Sequence, residues 1–171
     1  MRGRAVTDRP LVIDDIDLQI LRVLSQDARL SQRALGREVG MSSPAVAERI
    51  GKLEAAGVIT GYRAVIDWEA LGWGMEVVVD LISERSVDER ELLRRALEIP
   101  EIESVAVLTG PVDVRLQLRV RDHAHLQELF FERLLNMPGV RHTSTSLVMS
   151  KQQPDNYALS MLEQIATPRD G

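Results

Sequence analysis

A chain of 171 residues with 44% hydrophobic side chains is long enough for one ordinary core or two small ones, and its formal net charge of −5 provides no general attraction to polyanions. No run of about 18 apolar residues occurs, and Met1 to Pro10 is basic without an apolar stretch, so the sequence offers neither a spanning helix nor an export signal and is expected in the cytoplasm, away from membranes. Zero Cys excludes disulfides, thiol catalysis and thiolate metal sites, and 4% aromatics are too few for a base-stacking platform.

The charge is unevenly distributed. Residues 1–67 hold ten Lys/Arg and nine Asp/Glu, whereas 68–171 hold eleven and seventeen. Within 29–63 six basic residues face three acidic ones, so positive charge is concentrated in one segment.

Residues 1–12 read as a flexible, Arg-containing arm. Asp14, followed by Asp17, marks the start of a first helix that places Ile16, Ile20, Leu21 and Leu24 on one face. Ser31 caps a second helix, Gln32 to Val39, which Gly40 ends. Ser42 then caps a third, with Pro44 in its first turn, Val46, Ile50 and Leu53 inward, and a stop at Gly57. Helices joined by so short a turn must cross steeply, which is the geometry of a DNA-binding helix-turn-helix.

With Val46 facing inward, steps of 100° per residue put Pro44, Ala45, Ala47, Glu48, Gly51 and Lys52 outward and Arg49 at the edge. This face is slim enough for a major groove but poor in bidentate donors, so base specificity should be modest and supplemented by DNA shape. Ser31, Gln32, Arg33, Ser42, Ser43, Lys52 and Arg63 complete the expected interface with double-stranded DNA, largely on phosphates. Glu48 and Arg49 are open to several readings: part of that interface, an ordinary solvated helix face, or an ion pair with the first helix.

The helix-turn-helix is thus placed at 13–62, followed by an extended linker at 63–74 with a hinge near the glycines of Leu71-Gly72-Trp73-Gly74. From 75 to 151 a weak repeat appears: a strand at 75–82, a helix at 87–99, strands at 102–108 and 112–120, a helix capped by Asp122, and a strand at 140–149. The βαββαβ order makes a ferredoxin-like α+β domain with both helices on one face. Its open face, expected to mix Val78, Val105 and Val107 with Arg115 and Arg119, points to a second copy of the chain as partner. Residues 152–171 form a tail with Leu159, Leu162 and Ile165 at helical spacing. His123 and His125 are two apart on a helix, about 200° around the axis, which disfavours a shared metal. No cofactor or metal is expected.

Asp14-Asp15-Ile16-Asp17, Asp27-Ala28-Arg29-Leu30-Ser31, Val39-Gly40-Met41-Ser42, Glu48-Arg49-Ile50 and Gly57-Val58-Ile59-Thr60-Gly61-Tyr62 closely resemble the Lrp/AsnC family of feast/famine regulators. Pro138-Gly139-Val140, Thr143, Thr145 and Val148-Met149 resemble the end of that family's ligand-sensing (RAM) domain. The resemblance, over about 13–151, implies a winged-helix-type reader of DNA, homodimers assembling into octamers or similar discs, and no catalysis. It also implies an amino-acid-like effector between dimers, near Leu108, Thr109, Gly110, Pro111, Val112, Asp113 and the strand Thr145, Ser146, Leu147, Val148. Asp113 would hold an ammonium group or merely cap its turn. The family usually carries Gly-Asp-Tyr-Asp where this chain has Gly110-Pro111-Val112-Asp113, and Pro111 removes an N–H donor there. The alternatives are an architectural protein that wraps DNA without sensing a ligand, and a tetrapyrrole-decarboxylase-like enzyme on the same fold, whose His- and aromatic-rich pocket has no counterpart around Arg141-His142-Thr143.

Overall fold

Side-chain caps set the first three helices. Asp14 Oδ1 accepts from Asp17 N at 2.8 Å while Asp17 Oδ2 accepts from Asp14 N at 3.3 Å, a reciprocal capping box that opens α1 (Asp15–Gln26). Ser31 Oγ accepts from Ala34 N to start α2 (Gln32–Glu38), and Ser42 Oγ accepts from Ala45 N to start α3 (Ser43–Ala55). The computed structural model describes residues 12–84 and 88–166. The N-terminal arm up to residue 11 and the expected helix start at Val87 lie outside the described residues.

The turn between α2 and α3 depends on two glycines. Gly40 takes φ 69°, and Met41 N donates back to Gly36 O at 2.8 Å, closing a Schellman turn. Gly36 is required by contact: a Cβ there would stand 2.6 Å from the Met41 carbonyl oxygen. The three helices bury Ile20, Leu35, Val39, Val46 and Leu53 in one small core.

The segment 58–67, expected to be extended, first bends back at Val58 and Ile59, whose N–H groups both donate to Leu53 O, and then runs on without helix or strand among the described residues, exposed from Thr60 to Ile66. By internal contacts the chain divides into two units, one holding the described residues up to Ala64 and from Gln153 onward, the other Val65–Gln152. The C-terminal helix α6 (Tyr157–Ala166) belongs to the first unit: it packs on α1 with Leu159 and Leu162 half-buried.

The second unit is a four-stranded antiparallel sheet in the order β2-β3-β1-β4, formed by β1 (Met75–Ser83), β2 (Ile102–Val107), β3 (Val114–Val120) and β4 (Val140–Leu147). Helices α4 (Glu89–Ala96) and α5 (His123–Leu129) cover one face, where Val77, Val79, Leu81, Leu116 and Leu118 pack on Leu92, Ala96, Leu129 and Leu134. Beyond Leu129 the helix widens into a π-type turn, Phe130–Leu134, with Leu135 N donating to Phe130 O.

Register corrects the expected open face. Val105 pairs with Leu116 and Val107 with Val114, so both valines share the helix-covered side. The bulge between Ile102 and Ser104 shifts β2 by one residue, an offset that alternation within β2 alone does not reveal. The open side instead carries Glu76, Val78 and Asp80 of β1 beside Arg115, Gln117 and Arg119 of β3. It is a charged surface, not an apolar one.

Candidate nucleic-acid interface

The outward side of α3 matches its helical wheel. Pro44, Glu48, Gly51 and Lys52 are exposed, Ala45 and Ala47 half-exposed, and Val46 and Leu53 buried. Ser31, Gln32, Arg33, Ser42 and Arg63 are exposed and Ser43 half-buried. The Ser31 and Ser42 hydroxyls already serve as caps, so their free role toward a phosphate is as O–H donors.

Arg49 forms the ion pair with the first helix. Its Nη1 donates to Asp14 Oδ2 and to Asp17 Oδ1, each at 2.7 Å, clamping α3 to the first turn of α1. The Asp17 backbone N–H and then the Arg49 guanidinium hold the Asp14 carboxyl below its ordinary value. Lys52 pairs with Glu48 at 2.7 Å along the helix, and both side chains are 68% exposed. A pair so exposed is weak and exchanges readily for a phosphate. The outward face of α3 therefore has small residues at its centre and Lys52 beside them, and Arg33 and Arg63 are exposed elsewhere in the same unit. The signals missed in the sequence were Gly36, a glycine inside a helix and hence a mark of close packing, and the Asp14–Asp17 box as the seat for Arg49.

In the second unit the expected effector residues fall into two groups. Residues 108–113 form the β2–β3 turn, closed by Leu108 N donating to Asp113 O at 2.8 Å. Asp113 Oδ2 accepts from Ser83 N at 2.8 Å and Ser83 Oγ at 2.9 Å, which pins the end of β1 to the turn. The Ser83 backbone N–H and then its hydroxyl lower the Asp113 pKa, with Arg141 adding to the effect. This carboxylate is thus half-committed to holding the turn. Thr145, Ser146 and Leu147 lie on the far side of β1, paired with Val79, Val78 and Val77, and Val148 N donates to Glu76 O. With β1 between them, the two groups are about 10 Å apart across the sheet and offset along it, and they do not meet within one chain.

Cross-strand ion pairs occupy the open face. Arg115 forks onto Asp80 at 2.7 and 2.9 Å. Burial pushes the Glu76 carboxyl up, but Lys151, Gln117 and Arg119 outweigh it and hold the group below its ordinary value. His123 is exposed whereas His125 is buried against Glu101, and no cluster of three metal-ligating side chains occurs among the described residues. No helix among the described residues is long and apolar enough to cross a membrane.

Residues 13–60 match the family model for winged helix-turn-helix DNA-binding, and residues 76–157 match that for the Lrp/AsnC ligand binding domain. A leucine-responsive regulatory protein of Haemophilus influenzae is 34% identical over 87% of this chain and 91% of its own length. An HTH-type transcriptional regulator of Mycobacterium tuberculosis is 33% identical over 81% of this chain and 93% of its own. Among solved structures, a Neisseria meningitidis transcriptional regulator in complex with L-methionine superposes with a TM-score of 0.78 at 27% identity, covering 82% of this chain and 92% of that one. The fold of Escherichia coli AsnC matches with a TM-score of 0.80 at 22% identity, over 86% of this chain and 99% of that one. With a helix-turn-helix followed by this ligand-binding sheet along most of its length, the chain belongs to the Lrp/AsnC family of DNA-binding transcriptional regulators.

Proposed function

We propose that this regulator binds DNA as a homodimer, laying two α3 helices in successive major grooves, and that an amino acid tunes its DNA affinity or its assembly into larger rings. The small-residue face of α3 carries the DNA half of this reading: Ala45, Ala47 and Gly51 let the helix sit deep, while Arg33, Lys52 and Arg63 reach phosphates. Few base-specific forks remain once Arg49 is tied to α1, so shape and bending carry much of the specificity.

The effector half is supported by relatives. The Neisseria regulator and a feast or famine regulatory protein of M. tuberculosis, 29% identical with a TM-score of 0.76, were both crystallised with L-methionine. In this chain the turn 108–113 and the β4 segment 145–148 lie apart, so an effector touching both must lie between copies, which links binding to assembly. Cross-strand pairing makes the open face a polar surface that a second copy covers with charge complementarity rather than with apolar area.

Binding to the DNA upstream of the protein's own gene, titrated with the common amino acids and followed by anisotropy and sedimentation, tests both halves. A change in DNA affinity of about fivefold or more, or a shift in oligomer size, is expected with leucine, methionine or a similar apolar amino acid. If no amino acid moves either quantity while DNA binding persists, the sensing half fails and an architectural role replaces it.

A further inference from the structure

A cleft of about 340 Å³ opens at the start of β2, lined by Trp68, Trp73, Pro100, Glu101, Glu103 and Arg119. The 108–113 turn lies at the other end of β2, roughly 20 Å along the strand. Trp73 N donates to Trp68 O at 2.8 Å, closing the turn that brings both indoles to this cleft. Trp73 is fixed in place: Arg121 lies over its ring with Cζ 5.6 Å from the centroid, and His125 meets it edge-on at 5.4 Å. Trp68 is 43% exposed, which leaves ring surface for a ligand.

The cleft also has an unbalanced charge. Arg119 Nη2 donates to Glu76 at 3.0 Å, and its buried Nε lies 3.3 Å from Glu103 Oε2 as an ion pair without a hydrogen bond, so the guanidinium already faces two carboxylates. Glu101 has no Lys or Arg side chain paired with it among the described residues. Its Oε1 faces His125 Nε2 at 3.2 Å, and His125 Nδ1 accepts from Arg121 N, which assigns the ring proton to Nε2. Glu101 Oε2 is buried with no hydrogen-bond partner among the described residues. A carboxylate oxygen held away from water without a donor is costly, and an incoming ammonium group removes that cost.

We propose that this cleft binds a small molecule carrying an ammonium group on an apolar or aromatic body. Glu101 takes the ammonium, and Trp68, Trp73 and Pro100 enclose the body. A free amine and an α-amino acid share this chemistry. A ligand carboxylate would find only Arg119, already shared between two glutamates, so the ammonium is the determinant of binding. The site does not depend on the effector reading of the 108–113 turn, and its test needs no DNA.

Both tryptophans of the chain line the cleft, so intrinsic fluorescence of the full-length protein reads it directly. Phenethylamine, L-phenylalanine and 3-phenylpropionate are titrated in parallel to about 10 mM. A saturable change is expected with an ammonium-bearing probe and none with 3-phenylpropionate. Tighter binding of phenethylamine identifies free amines as the ligand class, and tighter binding of phenylalanine identifies amino acids. Glu101→Gln should weaken binding by about tenfold or more at unchanged circular dichroism. Should that variant lose its fold, Trp68→Ala decides, because the ring is half-exposed: it should weaken binding several-fold while Trp68→Phe retains it. Lack of saturation by either ammonium probe, equal binding of 3-phenylpropionate, or unchanged affinity in a folded Glu101→Gln overturns the proposal, as does unchanged affinity in Trp68→Ala where that variant decides.

Discussion

In the helix-turn-helix unit the charges around the reading face stay in water: Arg33, Arg37 and Arg63 are exposed, and Lys52 holds only a loose pair with Glu48. On the open sheet face of the second unit, Arg115 and Arg119 are tied across strands to Asp80 and Glu76, and Glu76 also takes Lys151. Apart from Arg49, clamped between Asp14 and Asp17, the helical unit therefore keeps these cations exposed or loosely paired, whereas the sheet unit presents a surface whose charges are already neutralised in pairs. Surfaces of the first kind suit a polyanion, and surfaces of the second kind suit another protein face.

The cores of the two units differ as well, and the largest expected effects test that contrast. Leu116 lies in the middle of β3 with no exposure, between Val79 and Val105 in neighbouring strands. Leu116→Ala should cost about 2–5 kcal/mol of stability in urea unfolding, because the sheet cannot collapse around the cavity. Gly36→Ala should cost about 1–3 kcal/mol in the first unit, since its Cβ meets a backbone oxygen that moves only if α2 and α3 separate. DNA binding should fall with Gly36→Ala, and ligand-dependent assembly should fall with Leu116→Ala. If either variant damages both activities equally, the two units do not behave as separate folding cores.

The same contrast explains what the sequence disclosed. In the first unit a helix divides packing from reading by its 3.6-residue period, so Val46 and Leu53 against Ala47, Glu48 and Lys52 could be sorted by counting. The caps at Asp14, Ser31 and Ser42 were legible because capping is local in sequence. In the sheet the alternation of Val114, Leu116, Leu118 and Val120 identified a strand and its buried side. The bulge in β2, which moves Val105 and Val107 to the covered side, depends on pairing with a strand more than ten residues away. Arg49 on Asp14 and Asp17, Asp113 on Ser83, and His125 on Glu101 are likewise contacts across 24 to 35 positions of sequence, and nothing local encodes them.

Two substitutions on α3 sharpen the line between packing and reading. Arg49→Met should lower the unfolding temperature of the first unit and leave the base preference of the folded protein unchanged, because the guanidinium serves α1. Lys52→Ala should leave the melting temperature within about a degree, since an exposed helix pair contributes little. It should weaken binding on all DNA sequences alike and reduce the slope of log K against log salt by about 1. A Lys52→Ala protein with an unchanged salt slope would take that residue out of the interface, and altered base preference in Arg49→Met would put that one back.

The smallest effect concerns Asp113, where the turn of the sheet unit is held by a charge. Its carboxyl is depressed below the ordinary 3.8 by the Ser83 backbone N–H first and the Ser83 hydroxyl second. A group whose pKa is lower folded than unfolded contributes stability that is complete above the unfolded value and fades as pH falls through the folded one. Asp113→Asn keeps an acceptor for Ser83 but removes the ionic part of the bond. Wild type should therefore exceed the variant in urea midpoint at neutral pH, and the gap should close as pH drops below about 4 toward 3. A gap that stays constant over that range would mean the ionised form adds nothing to the turn. In that case the Asp113 charge has no structural role at Ser83, and its availability to a ligand ammonium becomes the stronger account of the residue.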